Sequence, residues 1–390
     1  MKVVTEREKE VIKRINNSIK IIEDNKFTLY FFVIDSKNIP NSTLSYIYEM
    51  AKTLHDDGFN VKMLYQLENE YTEGELYSIK KNEEEIDYSR VFVGVKEWMG
   101  EEYAAIPHMN IAVEEWSVQP SDFLFIPEAL SGLMFETYKH KLPCKRDVIM
   151  NDYNHVTEFI PLGVEWKNYG IYDVITTTNK QAELIKTVFP YVEVSVIPPV
   201  IPDMFRKPLR PKKLVVNIIA KEQEDINRII KPFYWKYPMY KFITFRELKN
   251  LPMEEYARRL SDGAITIWVD KNTSFGRSAL EAMRCDNIVI GKIPEDIPEW
   301  MIDVEGNLKN NGIWTYNIKE IPDLLAKTIG SWMRNEIPDT ILEEMNETNK
   351  KYIQSEWEQN VIDTFDKLIE KQIEMYKEIK NNIIKGTENK

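Results

Sequence analysis

Residues 270–291, DKNTSFGRSALEAMRCDNIVIG, decide the fold of this chain. They follow an apolar, β-branched run at 264–269 (AITIWV), which predicts a buried strand. A polar loop at 270–276 comes next, then helical spacing at 277–285 and a second predicted strand at 287–290. This order of strand, loop, helix and strand is typical of an α/β fold with a parallel sheet.

The start of the predicted helix suits an anionic ligand. A helix N-terminus presents unpaired backbone N–H groups and the positive end of the helix dipole, which favour a group such as a diphosphate. Gly276 lets the backbone approach such a ligand. We expect a β-branched replacement there to block the phosphates while leaving the melting temperature near that of the native chain. Glu281 lies little more than one turn into the helix, within reach of the paired hydroxyls of a sugar.

Three stretches of this unit carry a family resemblance: SFGR at 274–277, LEAM at 280–283 and IVI at 288–290. Together they resemble the nucleotide-sugar signature of retaining glycosyltransferases of the two-domain GT-B type, particularly family 4. In that family the last Glu of an E-x7-E pattern holds the ribose hydroxyls, which would be Glu281 here. The family's other Glu touches the donor sugar, and this chain has Thr273 at that position. The sugar and the retaining outcome therefore stay open, and a merely solvated Glu281 is the alternative.

The resemblance also implies a set of donor-binding residues around the signature and at the nucleobase edge. For Arg246 an ordinary surface charge is the alternative. The implied donor-binding residues are Thr273, Ser274, Phe275, Gly276, Arg277, Glu281, Phe245 and Arg246.

Family members neutralise the diphosphate with an Arg after the first strand of the C-terminal domain and with a Lys further on. Lys221 stands in the Arg position here, as a point charge instead of a planar fork. The second basic position is acidic or neutral in this chain, and Arg228 or Lys231 are possible substitutes from the following helix.

Polar residues at strand ends of the N-terminal half complete the predicted catalytic set. Glu128 follows the fourth strand, and Asp152 and His155 follow the next one, at the expected rim of a cleft. Hydrogen bonding within a loop is the alternative for Asp152 and His155. We predict that these residues and Lys221 are catalytic, and we expect no metal, because Asp147 and Asp152 lack D-x-D spacing, and no cofactor.

Composition agrees with an enzyme that works in the cytoplasm. The 390 residues are enough for two α/β domains, and 43% of them are hydrophobic. No apolar run long enough to span a membrane appears, and two cysteines provide no disulfide framework. The net charge of −12 argues against a protein that coats nucleic acid. Richness in Lys, Asn, Ile and Glu is typical of a low-GC bacterium or a bacteriophage.

The pattern of strands and helices predicts two similar halves joined by a proline-rich passage. With the resemblance, these halves imply an N-terminal, acceptor-side domain at 1–203, a C-terminal nucleotide-sugar domain at 204–340, and helices at 341–390 that pack back on the first domain and end in a polar tail. The predicted strands are residues 28–34, 60–65, 90–95, 122–126, 147–150, 174–177, 193–196, 213–220, 241–245, 264–269 and 287–290.

The resemblance thus implies a GT-B protein of the α/β class, with two Rossmann-like parallel-sheet domains facing a cleft and a C-terminal helix that crosses back to the N-terminal domain. The resemblance implies a retaining, metal-independent hexosyl- or pentosyltransferase that moves a sugar from a nucleotide-diphosphate sugar to a hydroxyl acceptor. A surface glycan or polysaccharide is the first choice of acceptor, and a modified base of phage DNA is the second. A non-catalytic nucleotide- or sugar-binding relative, or a scaffold subunit, is the alternative function. The oligomeric state, the sugar and the nucleobase stay open.

Overall fold

The structure is a computed structural model that describes residues 5–34, 40–65, 95–111, 116–271, 273 and 275–388, with side chains up to residue 385. Most of the predicted strand at 90–95 lies outside these ranges, and Val95 begins a short helical turn. Ser274, predicted to bind the donor, also lies outside them.

The described strands form two sheets in which every strand pair is parallel. The first sheet has the order β3-β2-β1-β4-β5-β6-β7, and the second has the order β12-β11-β10-β8-β9. The first-sheet strands are β1 Leu29–Phe32, β2 Val61–Tyr65, β3 His108–Asn110, β4 Phe123–Pro127, β5 Lys145–Met150, β6 Asp173–Thr176 and β7 Glu193–Val196. The second-sheet strands are β8 Lys213–Ala220, β9 Thr244–Glu247, β10 Gly263–Val269, β11 Ile288–Lys292 and β12 Ile313–Thr315.

Helices connect the strands and cover the sheets. We number the helices of the described residues α1 Glu6–Glu23, α2 Ser42–Asp56, α3 Glu101–Ala104, α4 Ser131–Lys139, α5 Tyr153–Phe159, α6 Asn179–Val188, α7 Gln223–Lys236, α8 Met253–Asp262, α9 Arg277–Arg284, α10 Ile321–Met333, α11 Asp339–Asn349 and α12 Gln354–Glu388. Asn41 caps α2, because its Oδ1 accepts hydrogen bonds from the backbone N–H groups of Thr43 and Leu44.

The first sheet is buried on both faces, as a parallel sheet requires. Phe31 and Phe125 stack on one face with ring centroids 4.9 Å apart. Leu124 and Val148 are buried on the other face. This burial on alternate sides explains why the central strands have continuous apolar sequences.

The C-terminal helix α12 returns to the first sheet, as predicted. Its Phe365 ring lies 4.9 Å from that of Phe125, and α12 packs against α1 and α2. Lys371 of α12 donates to Oδ1 of Asp173 at 2.5 Å. Helix α11 instead contributes Met345 to the core around the second sheet. The domain limits given above stay a prediction.

Two short strands, β3 and β12, were not predicted. Each has three residues and lies at a sheet edge, so it has too few alternating positions to give a pattern. Strand β9 begins at Thr244, later than predicted, because residues 241–243 follow a 3-10 turn at Pro238–Tyr240. Among the described residues, no helix is long and apolar enough to cross a membrane.

Candidate active site

The candidate site lies where the carboxyl ends of the two sheets face each other. The strand order reverses between β1 and β4 in the first sheet and between β8 and β10 in the second sheet. Ligands of open α/β sheets bind outside the carboxyl ends of strands at such a point. Lys221 directly follows β8, and Asp270 directly follows β10.

Two adjoining cavities occupy this cleft. Cavity A has a volume of about 270 Å³ and cavity B of about 770 Å³. Both are lined by residues from the two halves of the chain, and they share Ser42, Asn151, Asp270 and Thr273. Cavity A is the more apolar, with Trp98, Phe205, Leu248, Leu251, Met253, Tyr256 and Phe275 in its wall.

The signature loop forms the boundary between the cavities. Gly276 has a φ of 71° and precedes the first residue of α9. The hydroxyl of Thr273 accepts the Gly276 N–H at 2.9 Å, so Thr273 closes the turn. Phe275 is buried and packs edge-on against Tyr352 with centroids 5.4 Å apart. Thr273, Phe275 and Gly276 all line cavity A, close to the predicted donor.

Gly276 is required by the packing behind the loop. A Cβ on Gly276 would lie 3.0 Å from Cζ2 of Trp268 and 3.3 Å from Cζ2 of Trp300. Nε1 of Trp300 also donates to the carbonyl of Phe275 at 2.5 Å, and Nε1 of Trp268 donates to Oγ of Ser278. These contacts and the φ of 71° instead predict that a larger residue lowers the melting temperature, because its side chain would enter the tryptophan cluster.

Glu281 lines cavity A from the second turn of α9. Its Oε1 accepts a hydrogen bond from Nε of Arg277 at 2.8 Å, and its carboxylate also bonds with the Tyr256 hydroxyl. Only 7% of Glu281 is exposed. The carboxylate is thus held in place at the cavity wall, where its remaining lone pairs can accept from a ligand.

Arg277, predicted to bind the donor, lines cavity A and forms an ion pair between the two halves of the chain. Its Nη1 and Nη2 donate to Oε2 and Oε1 of Glu49, on α2, at 2.9 and 2.6 Å. Burial raises the pKa of Glu49 and of Glu281, because it disfavours their charged forms, and the one guanidinium that they share offsets this only in part. Burial opposes the charge of Arg277, but the two carboxylates outweigh it and raise the pKa of Arg277.

Two lysines approach the position expected for the diphosphate. Lys221 is 68% exposed and lies 3.0 Å from Oδ1 of Asp270. Lys271, which was not predicted from the sequence, lies 2.7 Å from Oδ2 of Asp225. Both line cavity B. Arg228 pairs with Glu224 and does not line either cavity. Lys271 lies two residues after the end of β10, and this place near a strand end could have identified it.

Glu128, Asp152 and His155 form one hydrogen-bonded cluster. Oε1 of the buried Glu128 accepts the Asp152 backbone N–H at 3.0 Å and lies 2.9 Å from Nδ1 of His155. Asp152 caps α5 by accepting from the N–H of Asn154. Asp152 and His155 line cavity B, and Glu128 lies behind them. The hydrogen bond to Glu128 raises the pKa of His155, with further contributions from neighbouring carboxylates.

Phe245 and Arg246 were placed at the nucleobase, and this prediction does not agree with the structure. Both lie within β9, where the Phe245 ring packs 5.5 Å from that of Phe233 and Arg246 donates to the carbonyl of Arg259. Neither residue lines cavity A or cavity B. The residues that follow β9 reach the cleft in their place. Among them, Leu248, Asn250 and Leu251 line cavity A.

The opposite wall of cavity A comes from the first half of the chain. Trp98 is buried there, and among the described residues its Nε1–H has no hydrogen-bond partner. Nowhere in the described part of the chain do three or more His, Cys, Asp or Glu side chains come together in a way that could hold a metal ion.

Comparison with solved structures identifies the fold as that of GT-B glycosyltransferases. The pneumococcal O-GlcNAc transferase GtfA, solved with UDP and GlcNAc, superposes with a TM-score of 0.56 at 10% identity, over 89% of this chain and 99% of that one. Sucrose-phosphate synthase from Thermosynechococcus elongatus gives 0.52 at 11% identity, over 87% and 98% of the two chains. HepE from Anabaena, solved with UDP-glucose, gives 0.51 at 11% identity, over 87% and 99%. No protein-family model and no curated protein sequence matches the chain. The predicted GT-B architecture is confirmed.

Proposed function

We propose that this protein is a glycosyltransferase that moves a sugar from a nucleoside-diphosphate sugar to a hydroxyl acceptor. The observation that carries the proposal is the position of Glu281. It is a buried carboxylate on the helix that begins at the strand-order reversal, and it faces a cavity between the two sheets. A fixed carboxylate at this depth can accept two hydrogen bonds from a ribose diol.

The donor then occupies both cavities. The nucleoside lies in cavity A, between Leu248 to Leu251 and Trp98, with its ribose on Glu281. The diphosphate passes the start of α9, and the sugar extends into cavity B. Resemblance to solved enzymes with bound UDP or UDP-glucose supports this placement.

The chemistry requires charge stabilisation of the leaving diphosphate. The acceptor oxygen bonds to the anomeric carbon while the bond from that carbon to the diphosphate oxygen breaks. Lys221, Lys271 and the N–H groups at the start of α9 stabilise the developing charge. The acceptor proton passes to the departing phosphate or to His155. We propose a retaining, metal-independent reaction, with Thr273 in place of the family's sugar-binding Glu.

The charge of cavity B favours an uncharged acceptor. Five carboxylate residues line it, and they outnumber the two lysines, Lys221 and Lys271. A phosphate-rich acceptor such as DNA would be repelled by this surface and by the net charge of −12. A glycan or polypeptide hydroxyl is therefore the proposed acceptor, ahead of a modified DNA base.

One observation favours a second function, that of a non-catalytic nucleotide-binding relative. Among the described residues, each cation near the phosphate position already has a carboxylate partner: Asp270 for Lys221, Asp225 for Lys271 and Glu49 for Arg277. A diphosphate must compete with these partners for charge, which lowers the available stabilisation.

The test is turnover over a panel of UDP-, GDP-, ADP- and dTDP-sugars. Release of the nucleoside diphosphate, with or without simple glycosides as acceptors, supports the enzyme. Binding of a nucleotide without any turnover would favour the non-catalytic relative. No binding and no turnover would reject both functions.

A further inference from the structure

The ion pair between Arg277 and Glu49 has a consequence for Glu281, which lies beside it. Arg277 uses Nε for Oε1 of Glu281 and both terminal nitrogens for Glu49. The guanidinium is a rigid planar fork that can pair with one carboxylate through two parallel hydrogen bonds. Here that two-bond arrangement is made with Glu49 and not with Glu281.

We propose that Glu49 is a positioning residue for the nucleotide site. By holding both terminal nitrogens of Arg277, it leaves Glu281 with a single contact to the guanidinium. The lone pairs of Glu281 that neither Arg277 nor the Tyr256 hydroxyl uses then stay available at the wall of cavity A for a ribose diol. This proposal rests on the proposed function, and it adds a residue outside the signature, on α2 of the opposite half of the chain.

Because the ion pair is buried, each of its charged groups depends on its protein partner. The side chains of Arg277 and Glu49 are 8% and 3% exposed, so water cannot easily replace either partner. When Glu49 loses its charge, the nearest remaining anion for the guanidinium is Glu281, 2.8 Å from Nε. Arg277 is then expected to turn its fork towards Glu281 and occupy the lone pairs that the ribose needs.

A second contact across the cleft provides a matched control. The carboxylate of Glu299, from the second half of the chain, accepts the N–H of Lys180 at the start of α6 at 2.5 Å. It joins the same two halves as Glu49 does, but it contacts neither Arg277 nor Glu281 in the described structure. If Glu49→Gln acted only by loosening the cleft, Glu299→Gln should therefore have an equal effect on nucleotide binding.

The experiment measures discrimination between ribose and deoxyribose. UDP, ADP and GDP are titrated calorimetrically beside dUDP, dADP and dGDP, and the pair with the tightest wild-type binding is followed. We expect Glu49→Gln to weaken binding of the ribonucleotide by about tenfold and to reduce the ribose preference, since charged hydrogen bonds to the diol are lost. Glu299→Gln should leave the preference unchanged.

A double variant separates positioning from folding. In Glu49→Gln/Arg277→Gln no guanidinium is left to occupy Glu281, so the ribose preference should return to within about threefold of wild type. A double variant that binds worse than the single one, or a Glu49→Gln protein with the full ribose preference, would overturn the proposal. Should wild type bind none of the six nucleotides, the proposed function fails and this inference fails with it. If wild type binds and the Glu49 variants behave otherwise than expected, only the inference fails.

Discussion

Arg277 and Glu49 lie 228 residues apart in sequence and form a two-bond ion pair of 2.9 and 2.6 Å across the cleft. Glu281 shares the same guanidinium at 2.8 Å. The three side chains thus connect the nucleotide signature to a helix of the opposite half, and the network is buried.

Removal of Arg277 should be costly because two buried carboxylates would lose their only shared cation in the described structure. We expect Arg277→Gln to lower the free energy of unfolding by about 3–5 kcal/mol near neutral pH. Burial raises the pKa of Glu49 and Glu281 above the ordinary value, so the variant should regain stability as the pH falls and the carboxyls become protonated.

Urea denaturation at about pH 5 and about pH 8 measures this effect. Arg284→Gln on the same helix is the control, because Arg284 is partly exposed and lies 3.7 Å from the exposed Asp203. An equal loss for the two variants would argue against the network.

The main effect of replacing Gly276 should be on the stability of the fold, and not on ligand binding alone. Gly276→Ala adds a Cβ at a φ of 71° and 3.0 Å from Trp268. We expect a loss of about 2–4 kcal/mol, from backbone strain and from overpacking together. Gly163→Ala separates the two terms, because Gly163 has a φ of 80° and a Cβ added there would meet nothing within 4 Å. Equal melting temperatures for the two variants would mean that Trp268 and Trp300 shift at little cost in free energy, so that overpacking adds nothing to the backbone strain.

His155 should stabilise the fold in its protonated form. Its hydrogen bond to Glu128 raises its pKa above 6.5, so the stabilising contribution is complete below that value and is lost as the pH rises through the raised pKa. The difference in melting temperature between wild type and His155→Gln should be larger at about pH 5.5 than at about pH 8.5. In a Glu128→Gln background this pH dependence should become smaller, because only the weaker effects of Asp152 and Glu158 remain. An undiminished pH dependence would assign it to another group.

Lys221 should act on turnover and not on stability. The side chain is 68% exposed, so Lys221→Ala should melt like wild type. If Lys221 stabilises the leaving diphosphate, the variant should turn over about 10²–10³-fold more slowly, while EDTA leaves the wild-type rate largely intact. Lys213→Ala, at the other end of β8, is the matched control. Loss of activity in EDTA with restoration by a divalent metal, and a near-native rate for Lys221→Ala, would contradict this assignment.

The local unit around the signature could be predicted from sequence because its signals are local. Strand β10 and helix α9 follow from apolar runs and helical spacing within 264–291. The placement of Asp152 and His155 at the rim of the cleft also followed from the rule that ligands bind at the carboxyl ends of strands, whereas their contacts with Glu128 were not predicted.

Contacts between distant parts of the chain could not be predicted in the same way. Nothing local to Arg277 indicates that its partner is Glu49, and the helical period alone cannot say which half covers it. The error at Phe245 has a related cause, because a shift of a few residues in the end of β9 decides which residues reach the cleft. Lys271 was not predicted because a single lysine in a polar loop has the same local pattern as an ordinary solvated charge.

Calorimetric titration of nucleoside diphosphates into Glu281→Ala tests the central claim most directly. The variant should fold, because Arg277 keeps its two hydrogen bonds to Glu49. We predict that the affinity for the nucleotide that wild type binds best among UDP, ADP and GDP falls by about 1.5–3 kcal/mol, roughly 10- to 100-fold. Unchanged affinity in a folded variant would contradict the account, because the ribose would then be bound elsewhere.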